Sequence, residues 1–226
     1  MKYNPNKHHR RSIRLKGYDY TQVGAYFITI CTWQRHSLLG EVINGEMQLS
    51  LYGQTVQFNW DILPKRYPNV ELDAFIVMPN HVHGIIVLKG NGLEGAGLER
   101  LSIGASKLSV KPAPTKSKTY GLPEIVRGFK TFSGRRINQL RFQAGVAAWQ
   151  RGYYEHIIRN EESLTAIREY IFNNPWCWEK DDLYPNNLGK WNESSSLVFE
   201  SHGKSYTPVI VPMAGARSFG HSQQVQ

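Results

Sequence analysis

The sequence is poor in cysteine and has no long apolar run, and each absence excludes a class of protein. Its 226 residues include two cysteines, Cys31 and Cys177, and neither belongs to a CxxC pair. We therefore expect neither a zinc–thiolate site nor an oxidising compartment. No apolar run approaches the ~20 residues of a membrane span, and the basic N-terminus lacks the apolar core of a signal peptide. These absences predict a soluble, cytoplasmic protein with no membrane partner.

Acidic residues are also scarce relative to basic ones. Lysine and arginine total 27 against 18 aspartates and glutamates, which gives a formal net charge of +9. Such a balance favours a polyanionic partner, most simply nucleic acid, over membrane phosphate or an inert basic surface. Residues 1–19 contain no acid before Asp19, and we interpret them as a basic arm. Either this arm contacts DNA phosphates or it is a solvated tail; its candidate DNA-binding residues are Arg10, Arg11, Arg14 and Lys16.

The length fits one substantial domain with extensions. We place this domain at residues 20–178. Within it, residues 89–119 are rich in glycine and then in proline and lysine, which predicts a flexible insertion. Residues 179–226 are rich in serine, asparagine and glutamine, so we expect a C-terminal extension that is poorly ordered or packs late against the domain.

Hydrophobic periodicity predicts an α+β fold. The pattern reads as strand, helix, strand, strand, helix, strand and a final helix, with a small hairpin around Asn44-Gly45. The strands are expected over 25–33, 72–77, 84–88 and 152–158, and the helices over 52–66, from 123 onward and over 161–174. This is the ferredoxin-like βαββαβ order with an added C-terminal helix. In that antiparallel sheet the first and third strands lie in the middle.

The motif Met78-Pro-Asn-His-Val-His83 joins two of these strands. Side chains alternate along a strand, so His81 and His83 share one face and Val82 faces the other way. Two imidazoles on one stiff strand can bind one divalent metal ion. The alternative is that two histidines merely begin a strand at a sheet edge.

The closing helix carries a second polar pair, Tyr170 and Asn174, which share a face because they are four residues apart. A phenol attacks well only when a metal polarises its target or a base removes its proton. The Asn174 oxygen could complete a ligand set that, without thiolate, suits Mg²⁺ or Mn²⁺. The alternative is a packing tyrosine, and Tyr153 and Tyr154 compete for the catalytic role.

The helix that begins near Pro123 is strongly basic. Its cations outnumber its single acid, Glu124, and helical spacing places several of them on one exposed side. This face is either a nucleic-acid contact or an ordinary solvated surface. The candidate DNA-binding residues on it are Arg127, Lys130, Arg135 and Arg136.

Three blocks of the chain resemble a known family. They are Met78–His83, Trp149–His156 and Arg168–Pro175, and they occur in this order on a matching fold. Together they resemble the single-tyrosine HUH transposases of the insertion-sequence-200-like type. They are most similar to the REP-associated tyrosine transposases, which have asparagine rather than glutamine four residues after the tyrosine. The resemblance covers roughly residues 10 to 178.

The resemblance implies a DNA transposase that cleaves and rejoins single-stranded DNA at imperfect hairpins. Tyr170 would be the catalytic nucleophile and would form a 5′-phosphotyrosine intermediate. His81, His83 and Asn174 would hold the divalent metal, Mg²⁺ or Mn²⁺. The protein would act as a monomer or a homodimer. Two alternatives stay open, namely a domesticated hairpin-binding protein that no longer cuts and a metal-dependent hydrolase that uses water.

Overall fold

The computed structural model describes residues 15, 17–90 and 118–187, and describes residues 195–202 and 205–212 by their backbone alone. Four of the predicted DNA-binding residues, Arg10, Arg11, Arg14 and Lys16, lie outside the described residues, as does most of the predicted insertion. In the part of the chain that is described, no helix has the length and apolar character needed to cross a membrane.

Twelve helices and strands make up the described chain. In order they are β1 (Gly24–Cys31), β2 (Gly40–Ile43), β3 (Glu46–Leu49), α1 (Leu51–Asp61), α2 (Leu63–Arg66), β4 (Val70–Met78), β5 (His81–Leu88), α3 (Leu122–Leu140), β6 (Tyr154–Ile158), α4 (Glu161–Asn173), β7 (Ser195–His202) and β8 (Ser205–Pro212). Short 3-10 turns lie at Trp178–Lys180 and Pro185–Asn187.

The main sheet has four strands in the order β4-β5-β1-β6, and every neighbouring pair is antiparallel. This is the predicted ferredoxin-like order, with the first and third main strands, β1 and β5, in the middle. The β-branched and aromatic residues Tyr26 to Ile30 of β1 are buried, as expected for a central strand. In the register between these strands, Thr29 lies opposite His83 and Cys31 opposite His81.

Two local predictions have different outcomes. The hairpin forms as expected, since Asn44 (φ 52°) and Gly45 (φ 79°) turn the chain between β2 and β3. The single helix predicted over 52–66 is instead two helices, α1 and α2, which meet at Ile62. Pro64 explains the break, because it has no N–H to continue the α1 hydrogen-bond ladder.

The two faces of the sheet are covered by different helices. On one face, α1 and α3 bury a large apolar cluster that includes Trp60, Phe129 and the β5 residue Val82. On the other face, α4 packs on a smaller cluster through Ile167 and Ile171. Because side chains alternate along β5, the histidines lie on the α4 face while Val82 points to the larger core.

The chain beyond α4 continues the fold. Trp178 and Leu183 are buried together with Met78 at the end of β4. The folded part therefore extends past residue 178, where we placed the domain boundary, to at least Asn187. Beyond it, β7 and β8 pair as an antiparallel hairpin. The composition of residues 179–226 led us to predict no strand in this part of the chain.

Candidate active site

The two histidines of β5 form the centre of the site. His81 and His83 are fully buried, and their Nε2 atoms lie 2.9 Å apart. Their strand lies between β4 and β1, so the alternative of a histidine pair at a sheet edge does not apply.

Hydrogen bonds at the Nδ1 atoms hold both histidine rings in place. His81 Nδ1 lies 2.8 Å from Asn80 Oδ1, and Asn80 Nδ2 donates to the carbonyl of Leu183. Since an amide oxygen can only accept, His81 donates from Nδ1 and its Nε2 carries the lone pair. His83 Nδ1 lies 2.8 Å from Thr29 Oγ1, a hydroxyl that can donate or accept. Both Nε2 atoms are therefore directed into the site by partners on the far side of each ring.

Burial keeps both histidines neutral. It lowers the pKa of His81 to about 3 and the pKa of His83 well below its ordinary value. The desolvation of a charged imidazolium is the main cause in both cases. Neutral imidazole is the form that binds a metal ion, so neither ring has to lose a proton at neutral pH before it can act as a ligand.

Tyr170 lies beside His83, one of the two histidines. Asn160 caps α4 by accepting from Ser163 N, and Ile167 and Ile171 hold the helix on the sheet. As a result the Tyr170 hydroxyl oxygen is 3.1 Å from His83 Nε2. Burial, followed by the negative charge of Asp181, raises the pKa of Tyr170 well above its ordinary value. A cation beside the phenol would oppose both effects and favour its ionised form.

Asn174 and Asp181 complete the polar cluster. Asn174 is 2% exposed, and its Nδ2 donates to Asp181 Oδ2 over 3.3 Å. Its Oδ1 is buried and makes no hydrogen bond within the described part of the chain. Ligand atoms of His81, His83 and Asp181 all lie within 4.8 Å of one another. The structure thus brings together all four residues that we expected in the catalytic site, Tyr170, His81, His83 and Asn174.

Asp181 is the site residue that the sequence analysis missed. The signal was an acidic stretch, Glu179-Lys-Asp-Asp182, just beyond the tyrosine helix. Nothing in that stretch distinguishes one carboxylate from another. Only the fold shows that Asp181 faces the histidines, held there by the Leu183 N–H, which donates to Oδ1 over 2.6 Å.

This set of groups fits a divalent cation. Two neutral imidazole nitrogens and a carboxylate oxygen lie within 4.8 Å of one another. Asn174, whose Nδ2 donates to that carboxylate, has a buried amide oxygen with no hydrogen bond in the described part of the chain. Nitrogen and oxygen donors without thiolate suit Mg²⁺ or Mn²⁺. An unpaired buried amide oxygen is costly unless something binds it, so the Asn174 oxygen is itself evidence that the cluster is built for a ligand.

The predicted DNA-binding residues on α3 divide into two groups. Arg127, Arg135 and Arg136 are exposed. Lys130 is different, because its Nζ donates to three backbone carbonyls, those of Gln150, Arg151 and Gly152, over 2.6–3.0 Å. The ammonium group uses all three of its N–H donors within the protein. Lys130 therefore anchors the segment before β6, and the structure does not support the DNA contact that we expected of it.

A shallow groove of about 780 Å³ lies between α3 and residues 146–153. Among its lining residues, Arg127, Arg135 and Arg151 are exposed cations, and Glu124 is the acid. Tyr153, a sequence-level competitor of Tyr170, lines this groove. The groove is a candidate path for a polyanion along the basic helix.

Comparisons with known proteins give two sequence relatives, both from Haemophilus influenzae. Over 185 residues the chain is 45% identical to an uncharacterized protein, and the matched stretch covers 81% of this chain and 97% of that protein. Over 159 residues it is 30% identical to a protein assigned as a REP-associated tyrosine transposase, and the matched stretch covers 70% of this chain and 73% of that protein. No protein-family model matches the sequence.

Two solved structures are also similar. One is a REP-associated tyrosine transposase bound to a REP hairpin, with 17% identity and a TM-score of 0.46 over 79% of this chain and 80% of that one. The other is a protein of Deinococcus radiodurans R1 assigned as a transposase, with 21% identity and a TM-score of 0.34 over 72% of this chain and 97% of that one. The strand order and register, rather than these distant likenesses, identify the fold.

A histidine pair on the inner strand of a ferredoxin-like sheet, beside a tyrosine on the closing helix, defines the HUH class of single-tyrosine transposases. Within that class, the sequence relationship is decisive. The chain belongs to the REP-associated tyrosine transposases, the family that its three sequence blocks resemble.

Proposed function

We propose that this protein cleaves and rejoins single-stranded DNA at hairpin-containing repeats through Tyr170. One observation carries the proposal. The Tyr170 hydroxyl lies 3.1 Å from His83 Nε2, and His83 belongs to a cluster of potential metal ligands. A buried packing tyrosine also needs a hydrogen-bond partner, but that partner need not belong to a cluster of metal ligands, whereas a nucleophile needs a metal or a base beside it.

The metal would be held by His81 Nε2, His83 Nε2 and Asn174 Oδ1. When bound, Mg²⁺ or Mn²⁺ would supply Lewis-acid polarisation of the scissile phosphate. The protein's own contribution is to present these atoms already oriented. Asn80 and Thr29 hold the two rings, so that little reorganisation is needed when the phosphate arrives.

The cleavage step is a transesterification. The Tyr170 oxygen bonds to phosphorus, and the bond from phosphorus to the 3′-oxygen breaks. The phenol proton passes to solvent and the departing 3′-oxygen takes one up, leaving a 5′-phosphotyrosine and a free 3′-hydroxyl. Since one phosphodiester replaces another, a second 3′-hydroxyl can reverse the step and join strands without ATP.

Charge and family membership support single-stranded DNA with imperfect hairpins as the substrate. The formal net charge is +9. The exposed cations Arg127, Arg135 and Arg136 offer phosphate contacts along α3, next to the groove that Arg151 lines on its other side. Phosphate contacts of this kind position DNA, while unpaired bases supply the sequence information. The basic arm at Arg10, Arg11, Arg14 and Lys16 would add further phosphate contacts.

The test uses 3′-labelled single-stranded oligonucleotides that contain an imperfect hairpin with a short single-stranded flank, chosen from repeats found beside the gene, with Mg²⁺ or Mn²⁺. The fragment downstream of the cut should become covalently attached to the protein and migrate with it in a denaturing gel. Tyr170→Phe should abolish this adduct, because the substitution removes the attacking oxygen. Tyr154→Phe, a matched change on the neighbouring strand β6, should leave the adduct in place.

The same assay separates the alternatives. DNA retention without any cut by the wild-type protein would identify a domesticated hairpin-binding protein. Cleavage that persists in Tyr170→Phe would identify a hydrolase that uses water. Either result would overturn the proposal.

A further inference from the structure

We infer that Asp181 is a direct ligand of the metal, so that the segment 178–187 beyond the tyrosine helix completes the metal site. The inference rests on the proposed function for the metal itself. It goes further by adding a carboxylate to the two histidines and the asparagine, and by assigning a role to a stretch that has no motif.

The geometry places the Asp181 carboxylate among the other donors. Its ligand atom lies within 4.8 Å of those of His81 and His83, whose Nε2 atoms are 2.9 Å apart. Two ligands of a Mn²⁺ or Mg²⁺ ion are each about 2.0–2.2 Å from the metal, so two ligands can be no more than about twice that distance apart. The cluster therefore needs only a small contraction to surround one ion.

Asp181 also determines which atom of Asn174 faces the ion. The carboxylate can only accept, so it takes the Nδ2 donor of Asn174. The opposite atom, Oδ1, is then left buried without a hydrogen-bond partner in the part of the chain that is described. An amide oxygen is a metal ligand and an amide nitrogen is not. The two residues thus act together, because Asp181 orients Asn174 and each of them supplies one oxygen ligand to the metal.

Charge gives an independent reason for a carboxylate here. Without it, the donors His81, His83 and Asn174 are all neutral, and a divalent cation would enter a buried site with no countercharge. Burying an unpaired charge is strongly unfavourable. One carboxylate halves the uncompensated charge, and the phosphate of the substrate supplies the rest.

The segment 178–187 is built to hold Asp181 in place. The Leu183 N–H donates to Asp181 Oδ1, and the Leu183 carbonyl accepts from Asn80, the residue that also orients His81. Asn187 Nδ2 donates to the Asp181 carbonyl. Trp178 and Leu183 are buried against Met78. One asparagine, Asn80, therefore links the first histidine to the segment that carries the carboxylate.

The first experiment measures Mn²⁺ binding to the full-length protein, without DNA, from the electron paramagnetic resonance signal of free Mn²⁺. Asp181→Asn keeps the side-chain shape and removes the charge, and we expect Mn²⁺ to bind about tenfold more weakly or worse. Glu179→Gln makes the same charge change at an exposed position two residues away, and we expect it to bind as the wild type does. An Asp181→Asn protein that binds as tightly as the wild type overturns the inference.

The second experiment distinguishes a ligand from a residue that only orients Asn174. Asp181→Cys is made in a Cys177→Ser background and titrated with Cd²⁺, because a thiolate bound to Cd²⁺ gives an ultraviolet charge-transfer band. We expect this band for Asp181→Cys and not for Glu179→Cys in the same background or for Cys177→Ser alone. Both controls retain the half-buried Cys31, which lies opposite His81, and so they measure any contribution from that thiol. Cd²⁺ binding without the band would show that residue 181 acts only through Asn174 and would overturn the assignment.

The outcomes remain separable from those of the proposed function. Wild-type protein that binds no Mn²⁺ would contradict the metal role in the proposed function and this inference with it. Wild-type binding that Asp181→Asn leaves unchanged would overturn the inference alone. If circular dichroism shows that Asp181→Cys does not fold, the Mn²⁺ titration of Asp181→Asn still tests the inference, because an unchanged affinity would overturn it.

Discussion

The two faces of the central sheet bury different kinds of side chain. The face under α1 and α3 buries a large apolar cluster around Trp60 and Phe129. The face under α4 has a smaller apolar cluster and also buries His81, His83 and Asn174. Apolar burial stabilises a fold, whereas buried polar groups contribute little or cost free energy unless they are paired. We therefore expect the first face to supply most of the stability and the second to supply the chemistry.

The largest expected effect is on the apolar face. Trp60 is fully buried, stacks on Phe75 with ring centroids 4.2 Å apart and meets Phe129 edge-on. Trp60→Ala should lower the free energy of unfolding by about 3–5 kcal/mol, because it removes this contact area and leaves a cavity. Urea denaturation measures the loss. Phe172→Ala, which truncates a 78% exposed aromatic on α4, should change stability by no more than about 0.5 kcal/mol; similar losses for the two variants would refute the asymmetry.

The next effect tests how tightly that face packs on β5. A Cβ added at Gly84 would lie 2.5 Å from the Trp60 ring and 2.8 Å from Phe75. Gly84→Ala should therefore destabilise the fold by about 1–3 kcal/mol through overpacking. Gly152→Ala is the control, since a Cβ there meets no atom within 4 Å. Thermal unfolding compares the stability of the two variants. An unchanged stability of Gly84→Ala would mean that Trp60 and Phe75 can move to accommodate the added methyl group.

A third effect is expected on metal binding rather than on folding. Thr29 holds His83 through its hydroxyl, so Thr29→Val should weaken Mn²⁺ binding by about tenfold, the low end of what such supporting contacts contribute. The same Mn²⁺ titration applies. Thr131→Val removes an exposed hydroxyl that donates only within α3, and its Mn²⁺ affinity should match that of the wild type. Equal Mn²⁺ affinities in Thr29→Val and the wild type would show that the Thr29 hydroxyl is not needed to hold His83 for metal binding.

The smallest effect concerns the attachment of α4 to the sheet. Arg168 on α4 pairs with Asp73 on β4 through two nitrogens, and this contact is the main reason that the pKa of Asp73 lies below its ordinary value. A depressed pKa stabilises the fold above the unfolded-state pKa, near 4, and that stability is lost as the pH falls through the folded value. Arg168→Ala should cost about 0.5–1 kcal/mol at pH 7, since the pair is partly solvated.

This difference between Arg168→Ala and the wild type should shrink as the pH falls from about 5 towards 3, where Asp73 becomes protonated in both proteins. Urea denaturation across this range measures it. A difference that is constant over the whole range would show that the arginine acts through packing alone.

Sequence reasoning recovered the parts of the molecule that local patterns determine. The alternation around His81 and His83 places both rings on one face whatever the fold, and the four-residue spacing of Tyr170 and Asn174 does the same on a helix. The order of strands and helices then implied a central β5. These residues meet in the structure because β5 lies inside the sheet and α4 packs on the face that carries the histidines.

Asp181, which the sequence analysis missed, and Lys130, whose ammonium group is used inside the protein, both depend on contacts between distant segments. Asp181 lies on an irregular stretch with no periodicity, and its direction is set by Leu183 and Asn80. Lys130 belongs to a basic helix face, but the loop at 150–152 folds over it and takes its donors. Leu183 is close to Asp181 in the sequence, but Asn80, which binds the Leu183 carbonyl, is far from both, and the 150–152 loop is about twenty residues from Lys130. Charge and spacing alone could therefore not show these outcomes.

The 3.1 Å approach of the Tyr170 oxygen to His83 has a consequence for assembly. Both atoms belong to a single polypeptide, so no exchange of helices between two copies is needed to bring them together. The fraction of protein that becomes joined to DNA in a given time should then be the same in dilute and concentrated solutions, provided that the DNA is saturating. A mixture of Tyr170→Phe and the double variant His81→Ala, His83→Ala should form no covalent protein–DNA adduct, because the tyrosine and the histidines have to come from the same chain.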